Sequence, residues 1–255
     1  MSVDRELAVL RPLAASAWRS RWQVELEAEA RFARLAERLE RIGSAPAMVD
    51  LALRASRDER RHAAHCAELA RSYGAYVPST FSPTVRDITP SGLLLRGQVL
   101  YEIVASCCIT ETESMGVLTT LLAAARSPHL RQILRELARD EVGHSRLGWA
   151  HLASEHGQGT TSFLGPLVPS MLEGSADPEL FAQRPPGEDD EALLEHGVLP
   201  RRLKLEVFRR TLEEVVFPGL DQLGVETASA RAWLAGKLGQ AGAPLRLSHG
   251  ARQPG

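Results

Sequence analysis

Apolar residues recur at alternating steps of four and three along four stretches of the chain, and each such stripe predicts an amphipathic helix. The first, residues 12–41, carries Trp18, Trp22, Glu25, Glu29, Phe32, Ala36 and Leu39 on one face and ends at Gly43. The second opens after Gly43-Ser44-Ala45 with Pro46 in its first turn, runs Met48, Ala52, Ala55, Glu59, His62, Cys66, Leu69, and closes at Gly74. The third is opened by Thr89-Pro90 and runs Leu93, Gly97, Leu100, Val104, Cys107, Glu111, Ser114, Leu118. Glu111 falls on its buried face, whereas Glu102 and Glu113 point elsewhere. The fourth starts at Ser127-Pro128 and runs Leu130, Leu134, Leu137, Glu141, His144, Gly148, His151. Residues 76–89 hold Pro78 and Pro83 and no helical pattern, a long connection for an up-and-down bundle. The pattern predicts an all-α fold, a four-helix bundle with one long crossover.

Beyond the fourth helix the pattern weakens. Residues 155–197 mix Gly and Pro with a charged run, Glu188-Asp189-Asp190-Glu191, which reads as a solvated face in a loop with short helices. Residues 200–223 form an amphipathic helix, bent or ended at Pro218-Gly219, with Leu205, Phe208, Leu212 and Val215 on its apolar stripe. A short last helix covers 228–238. No other segment after Ser154 offers that stripe a partner, so the bundle's outer surface is the expected dock. The organisation is then a bundle at 12–154, a helical extension at 155–238 packed on it, and a loose tail at 239–255.

Composition narrows the possible functions. Helix formers dominate the 255 residues and aromatics are only 5%, which leaves little material for a sheet. A net charge of -2 gives no electrostatic case for nucleic acid or an acidic membrane as partner. Asp4, Arg5, Glu6 and Arg11 interrupt any signal-peptide core, and no apolar run approaches the roughly 20 residues of a membrane helix. The three cysteines, Cys66, Cys107 and Cys108, form no CxxC pair and support neither a disulfide framework nor a thiolate iron site. The expectation is a soluble, cytoplasmic protein.

The chemistry sits on the polar exceptions to the stripes. Glu141 and His144, three apart, share a helix face and could bind one cation, and Asp140-Glu141-Val142-Gly143-His144 has a twin in Asp58-Glu59-Arg60-Arg61-His62. Each copy has a glutamate upstream, Glu25 lying 34 residues before Glu59 and Glu111 lying 30 before Glu141. Four helices thus each bury a carboxylate near mid-length, which is costly without counter-charge. Six ligands, Glu25, Glu59, His62, Glu111, Glu141 and His144, suit a pair of iron or manganese ions inside the bundle. Glu29 is an alternative ligand or a neighbour of the ligands, and Cys66 stands one turn beyond His62. His65 is peripheral.

These residues resemble the ferritin-like di-iron carboxylate superfamily over about residues 18–152. Asp58-Glu59-Arg60-Arg61-His62 is similar to the D-E-x-R-H motif of bacterial multicomponent monooxygenases and ribonucleotide reductase small subunits. The second copy departs from it at Gly143. Phe32-Ala33-Arg34 and Cys108-Ile109-Thr110-Glu111-Thr112 also look like a poorly described group of bacterial ferritin-like proteins. The resemblance implies crosswise support, with Asp58 orienting His144 and Asp140 orienting His62 through histidine Nδ1. Cys66 stands where the radical-forming reductases have tyrosine, which argues against a tyrosyl radical. Met115 stands where methane-oxidising hydroxylases have an active-site threonine, so their oxygen chemistry does not transfer in detail.

Site and resemblance together imply an O2-dependent di-iron oxidase or oxygenase acting on a small organic substrate. Two iron ions are the implied cofactor, with manganese or a mixed Mn/Fe pair as the variant. Electrons would come from a separate reductase or ferredoxin. Ala55, Cys66, Cys107 and Gly148 face the ligand layer and are expected to leave room for a cavity. A rubrerythrin- or bacterioferritin-like peroxide reductase or ferroxidase is the alternative, and a non-catalytic metal-bound bundle is a further one. The missing CxxC modules and the C-terminal addition weigh against the first of these.

Overall fold

The computed structural model describes residues 6–85, 87–182 and 191–241. Their regular structure is all helical, and four long helices make a ferritin-like bundle. Helices α1 (Arg11–Arg41) and α2 (Pro46–Ser72) pack along their length as a hairpin turned at Gly43, whose φ of +72° suits glycine. The crossover that follows lies against the bundle: Val77 is buried, Phe81 meets Trp22 at 5.3 Å between ring centroids, and Asp87 accepts from Arg38 at 3.0 Å.

Helix α3 (residues 95–124) is α-helical over Leu95–Ile103, π-helical over Val104–Thr110 and α-helical again over Glu111–Ala124. It starts at Leu95, not at the expected Thr89-Pro90. Thr89 instead bonds Asp87, and Gly92, at φ +92°, turns the chain before the helix can begin. Helix α4 (Pro128–His156) is capped by Ser127, whose Oγ accepts from the Leu130 amide at 3.5 Å.

One stripe of α3 was expected to be buried, yet every residue from Val99 to Ile109 is buried. The bundle covers one side and the C-terminal region the other, so no face is left for water. Glu102 is therefore not a solvent-facing carboxylate. It is 1% exposed and accepts from Arg34 at 2.7 Å and Arg38 at 2.9 Å.

The C-terminal region runs through 3-10 turns at Ser162–Leu167, Pro178–Phe181 and Glu191–His196 and three helices. These are α5 (Val168–Ser175), α6 (residues 201–222) and α7 (Ala228–Gln240). Met171, Leu172, Phe208, Leu212 and Phe217 join Phe32, Leu35, Ile103 and Ile109 in one apolar core. Each such side chain removed from water contributes about 1.5–3 kcal/mol. A π turn at Leu212–Val216 shifts the register of α6, so Val216 is buried and Val215, expected inside, is 49% exposed. The same turn accommodates the missing N–H of Pro218, and the helix runs on to Gln222 instead of ending at Pro218-Gly219. Glu191 pairs with Arg202 at 3.1 Å; the rest of the charged run and the tail from 242 lie outside the described residues.

A second apolar cluster holds Trp18, Trp22, Ala63, Cys66, Leu118, Leu134 and Leu137. Glu25, Glu59, Glu111 and Glu141 each fall, along their own helices, between residues of one cluster and residues of the other. The polar layer is thus sandwiched between two dry ones.

Candidate metal centre

Each of the four bundle helices delivers its carboxylate to one layer. Glu25, Glu59, His62, Glu111, Glu141 and His144 are all buried, none more than 6% exposed. One ligand atom from each of Glu59, Glu111, Glu141 and His144 falls within 4.8 Å of the others, and Glu25, Glu59 and His62 form a second such group. Glu59 belongs to both and is placed to bridge them. The i, i+3 spacing does its local part: His144 Nδ1 lies 2.9 Å from Glu141 Oε2, and His62 Nδ1 lies 3.2 Å from Glu59 Oε2. His144 Nδ1 also reaches Glu59 Oε1, at 3.0 Å, from the facing helix.

The twin aspartates cross over. Asp140 Oδ2 is 3.4 Å from His62 Nε2, and Asp58 Oδ2 is 3.4 Å from His144 Nε2. The nitrogen is Nε2, not the expected Nδ1, because each Nδ1 is turned inward to the glutamates. Arg61 joins the two aspartates, donating to Asp58 at 2.8 Å and to Asp140 at 2.7 Å. One arginine thus serves both motifs, which accounts for the second copy doing without its own at Gly143.

Burial pushes Glu25 up to about 8, with Glu59 adding to it and Arg21 opposing. Burial also holds Glu111 well above the ordinary carboxylate range, helped by Glu141 and Glu59. It acts the same way on Glu59, but hydrogen bonds with His144 and His62 outweigh it and hold that carboxylate low. For the two imidazoles burial favours the neutral form, yet bonds to Asp58, Glu141 and Glu59 raise His144 and bonds to Glu59 raise His62. Four buried carboxylates share one guanidinium, Arg21, and two imidazoles; two divalent cations would balance the carboxylates. This oxygen-rich donor set with two nitrogens fits iron or manganese.

One sequence expectation changes here. Glu29 is turned away from the layer and pairs with Arg60, which donates from Nε at 2.8 Å. Cys66 does border the layer, with Sγ 4.0 Å from Glu25 Oε1. His65 lies outside it, 3.2 Å from Glu136. The sequence reading missed Arg21 and Ser114. Arg21 donates to Glu25 at 3.0 Å and to Ser114 at 3.5 Å, and Ser114 donates to Glu141 at 3.1 Å, a polar chain linking two of the candidate ligands. The i, i+4 spacing of Arg21 and Glu25 was a usable signal.

A cavity of about 620 Å³ opens from this layer, with Glu25, Glu59, Glu111 and Glu141 in its wall. It lies where α1 and the second half of α3 barely touch, and Ala176, Asp177, Leu180, Lys204 and Phe208 of the C-terminal region close it. Glu113, expected to point elsewhere, lines it too; burial raises this carboxyl, with Lys204 and Arg21 opposing. Ala55, Cys66, Cys107 and Gly148, expected to provide the room, line none of it. A Cβ at Gly148 would sit 2.5 Å from that of Cys107, so the glycine serves instead to bring α4 against α3.

Fold and site together define a ferritin-like bundle with a buried carboxylate–histidine cluster. A solved chain from Synechococcus, described as protein 19 with aldehyde deformylating oxidase activity, is similar in structure. Its TM-score is 0.55 at 19% sequence identity, covering 90% of this chain and 98% of that one. No family model and no curated protein matches the chain.

Proposed function

We propose that the chain is an O2-dependent di-iron oxidase or oxygenase acting on a small organic substrate. The observation that carries this reading is the cavity. The ligand carboxylates form part of the wall of a space of about 620 Å³, within the range of small-molecule sites. A metal held only for structure or storage has no need of such a space.

Glu25, Glu59, His62, Glu111, Glu141 and His144 would hold the two metals, iron first and manganese or a mixed pair as the variant. Bound there, a ferrous pair would supply the electrons that reduce O2 beside the substrate. The chain's own residues prepare the place. Asp58 and Asp140 accept from histidine Nε2, which leaves Nδ1 facing the carboxylates. Arg21 and Ser114 hold Glu25 and Glu141 in position. Val24, Ala28, Val117, Leu180 and Phe208 keep the cavity apolar and limit water. The three cysteines are buried, so we assign electron supply to a separate reductase or ferredoxin. No helix among the described residues is long and apolar enough to cross a membrane, and we place the protein in the cytoplasm. The oxidase activity of the structurally similar chain supports this choice of class.

Metal analysis joined to an anaerobic-to-O2 absorption series tests the proposal. Two metals per chain and O2 consumption that rises with an added organic substrate are expected. Uptake of many irons per chain with no substrate dependence would overturn it in favour of a ferroxidase.

A further inference from the structure

The charged groups in the cavity wall are unevenly partnered. Lys204 pairs with Asp177 at 3.4 Å, and Glu113 has no hydrogen-bond or ion-pair partner among the described residues. Arg31 lines both the cavity and a small recess shared with Phe32, Leu35, Glu102 and Ser106. The carboxylate of that recess, Glu102, is already taken by Arg34 and Arg38. Arg31 itself has no carboxylate or other acceptor within hydrogen-bond distance among the described residues.

From this we infer that the site takes a monocarboxylate with an apolar stem, its carboxylate held by Arg31. A guanidinium presents a planar fork that matches a carboxylate through two parallel N–H donors. Arg31 lies six residues beyond Glu25 on α1, about 9 Å along the axis. A chain anchored there runs along Ala28 and Val24, with Leu180 and Phe208 opposite, and passes the metal-facing carboxylates with its hydrocarbon part. A dianionic head is disfavoured, because only one guanidinium is spare and carboxylates outnumber cations among the other charged groups of the wall. The inference rests on the oxidase reading for what happens to the stem, but not for binding.

Calorimetric titration of the iron-loaded full chain with octanoate, 1-octanol and octyl phosphate tests it, in the wild type, Arg31→Met and Arg31→Lys. Octanoate is expected to bind the wild type about tenfold or more tighter than either of the others, the value of one charge-assisted bond pair. Arg31→Met should lose that preference while keeping its affinity for octanol, and Arg31→Lys, which keeps the charge but not the fork, should keep only part of it. Equal binding of octanoate and octanol, octanoate affinity unchanged in Arg31→Met, or tighter binding of octyl phosphate would each overturn the inference. Circular dichroism melts confirm that the variants fold; if Arg31→Met does not, Arg31→Lys decides, a partly lost octanoate preference supporting the inference and an unchanged one overturning it. Failure here with two irons bound and O2 consumed leaves the oxidase reading standing. Arg31-dependent octanoate binding without O2 consumption would sink that reading alone.

Discussion

His62 Nε2 faces Asp140 Oδ2 at 3.4 Å across the interface of α2 and α4. His144 and Asp58 repeat the contact in the opposite direction, and Arg61 ties both aspartates together. Each motif therefore braces the imidazole of the other. Asp140→Ala should weaken metal binding about 10–100-fold, the usual effect of losing a group that orients a ligand. Arg61→Met should weaken it less, but at both positions. Competition titration with a ferrous chelator measures this, and an unchanged affinity in Asp140→Ala would show that the crosswise contact is idle.

Glu111 contributes to only one of the two ligand groups, alongside Glu59, Glu141 and His144. Glu111→Ala should lower metal content from two ions per chain towards one, leaving the group of Glu25, Glu59 and His62. Elemental analysis after loading and desalting reads the ratio. Retention of both ions would remove α3 from the ligand set.

Two glycines five residues apart on α4 should respond oppositely to alanine. A Cβ at Gly143 meets open space, so Gly143→Ala should stabilise the helix by about 1 kcal/mol. A Cβ at Gly148 would press on Cys107, so Gly148→Ala should cost about 1–3 kcal/mol by overpacking. Thermal melts of the metal-free variants should move up for the first and down for the second. Equal shifts would mean that α3 and α4 are less tightly apposed than they stand here.

The C-terminal region covers α3 and closes the cavity with Leu180 and Phe208. A chain ending at Ser154 should be less soluble and melt lower than the full chain, because Ile103, Ile109 and their neighbours lose their cover. Unchanged melting and O2 consumption would mark the region as a dispensable appendage.

How much was legible from the chain alone follows from the range of the interactions involved. The four helical stripes and the i, i+3 pairing of each Glu with its His depend on a period of 3.6 residues. That is a local property, so the sequence by itself determined them and thereby the donor types of the cluster. Tertiary structure decided what each face meets. Glu102 became a buried ion-paired group because α1 supplies Arg34 and Arg38. Val215 was exposed by a π turn that no hydrophobic pattern announces. The imidazoles turned Nδ1 inward and Nε2 to the aspartates, a choice settled only when α2 and α4 face each other. The cavity lies between α1 and α3 instead of beside the small residues of the stripes, because its far wall comes from residues 176–208, remote in sequence. Arg31 is the plainest case. On the chain it is one arginine among many, and its spare charge exists only because packing gives Glu102 to Arg34 and Arg38.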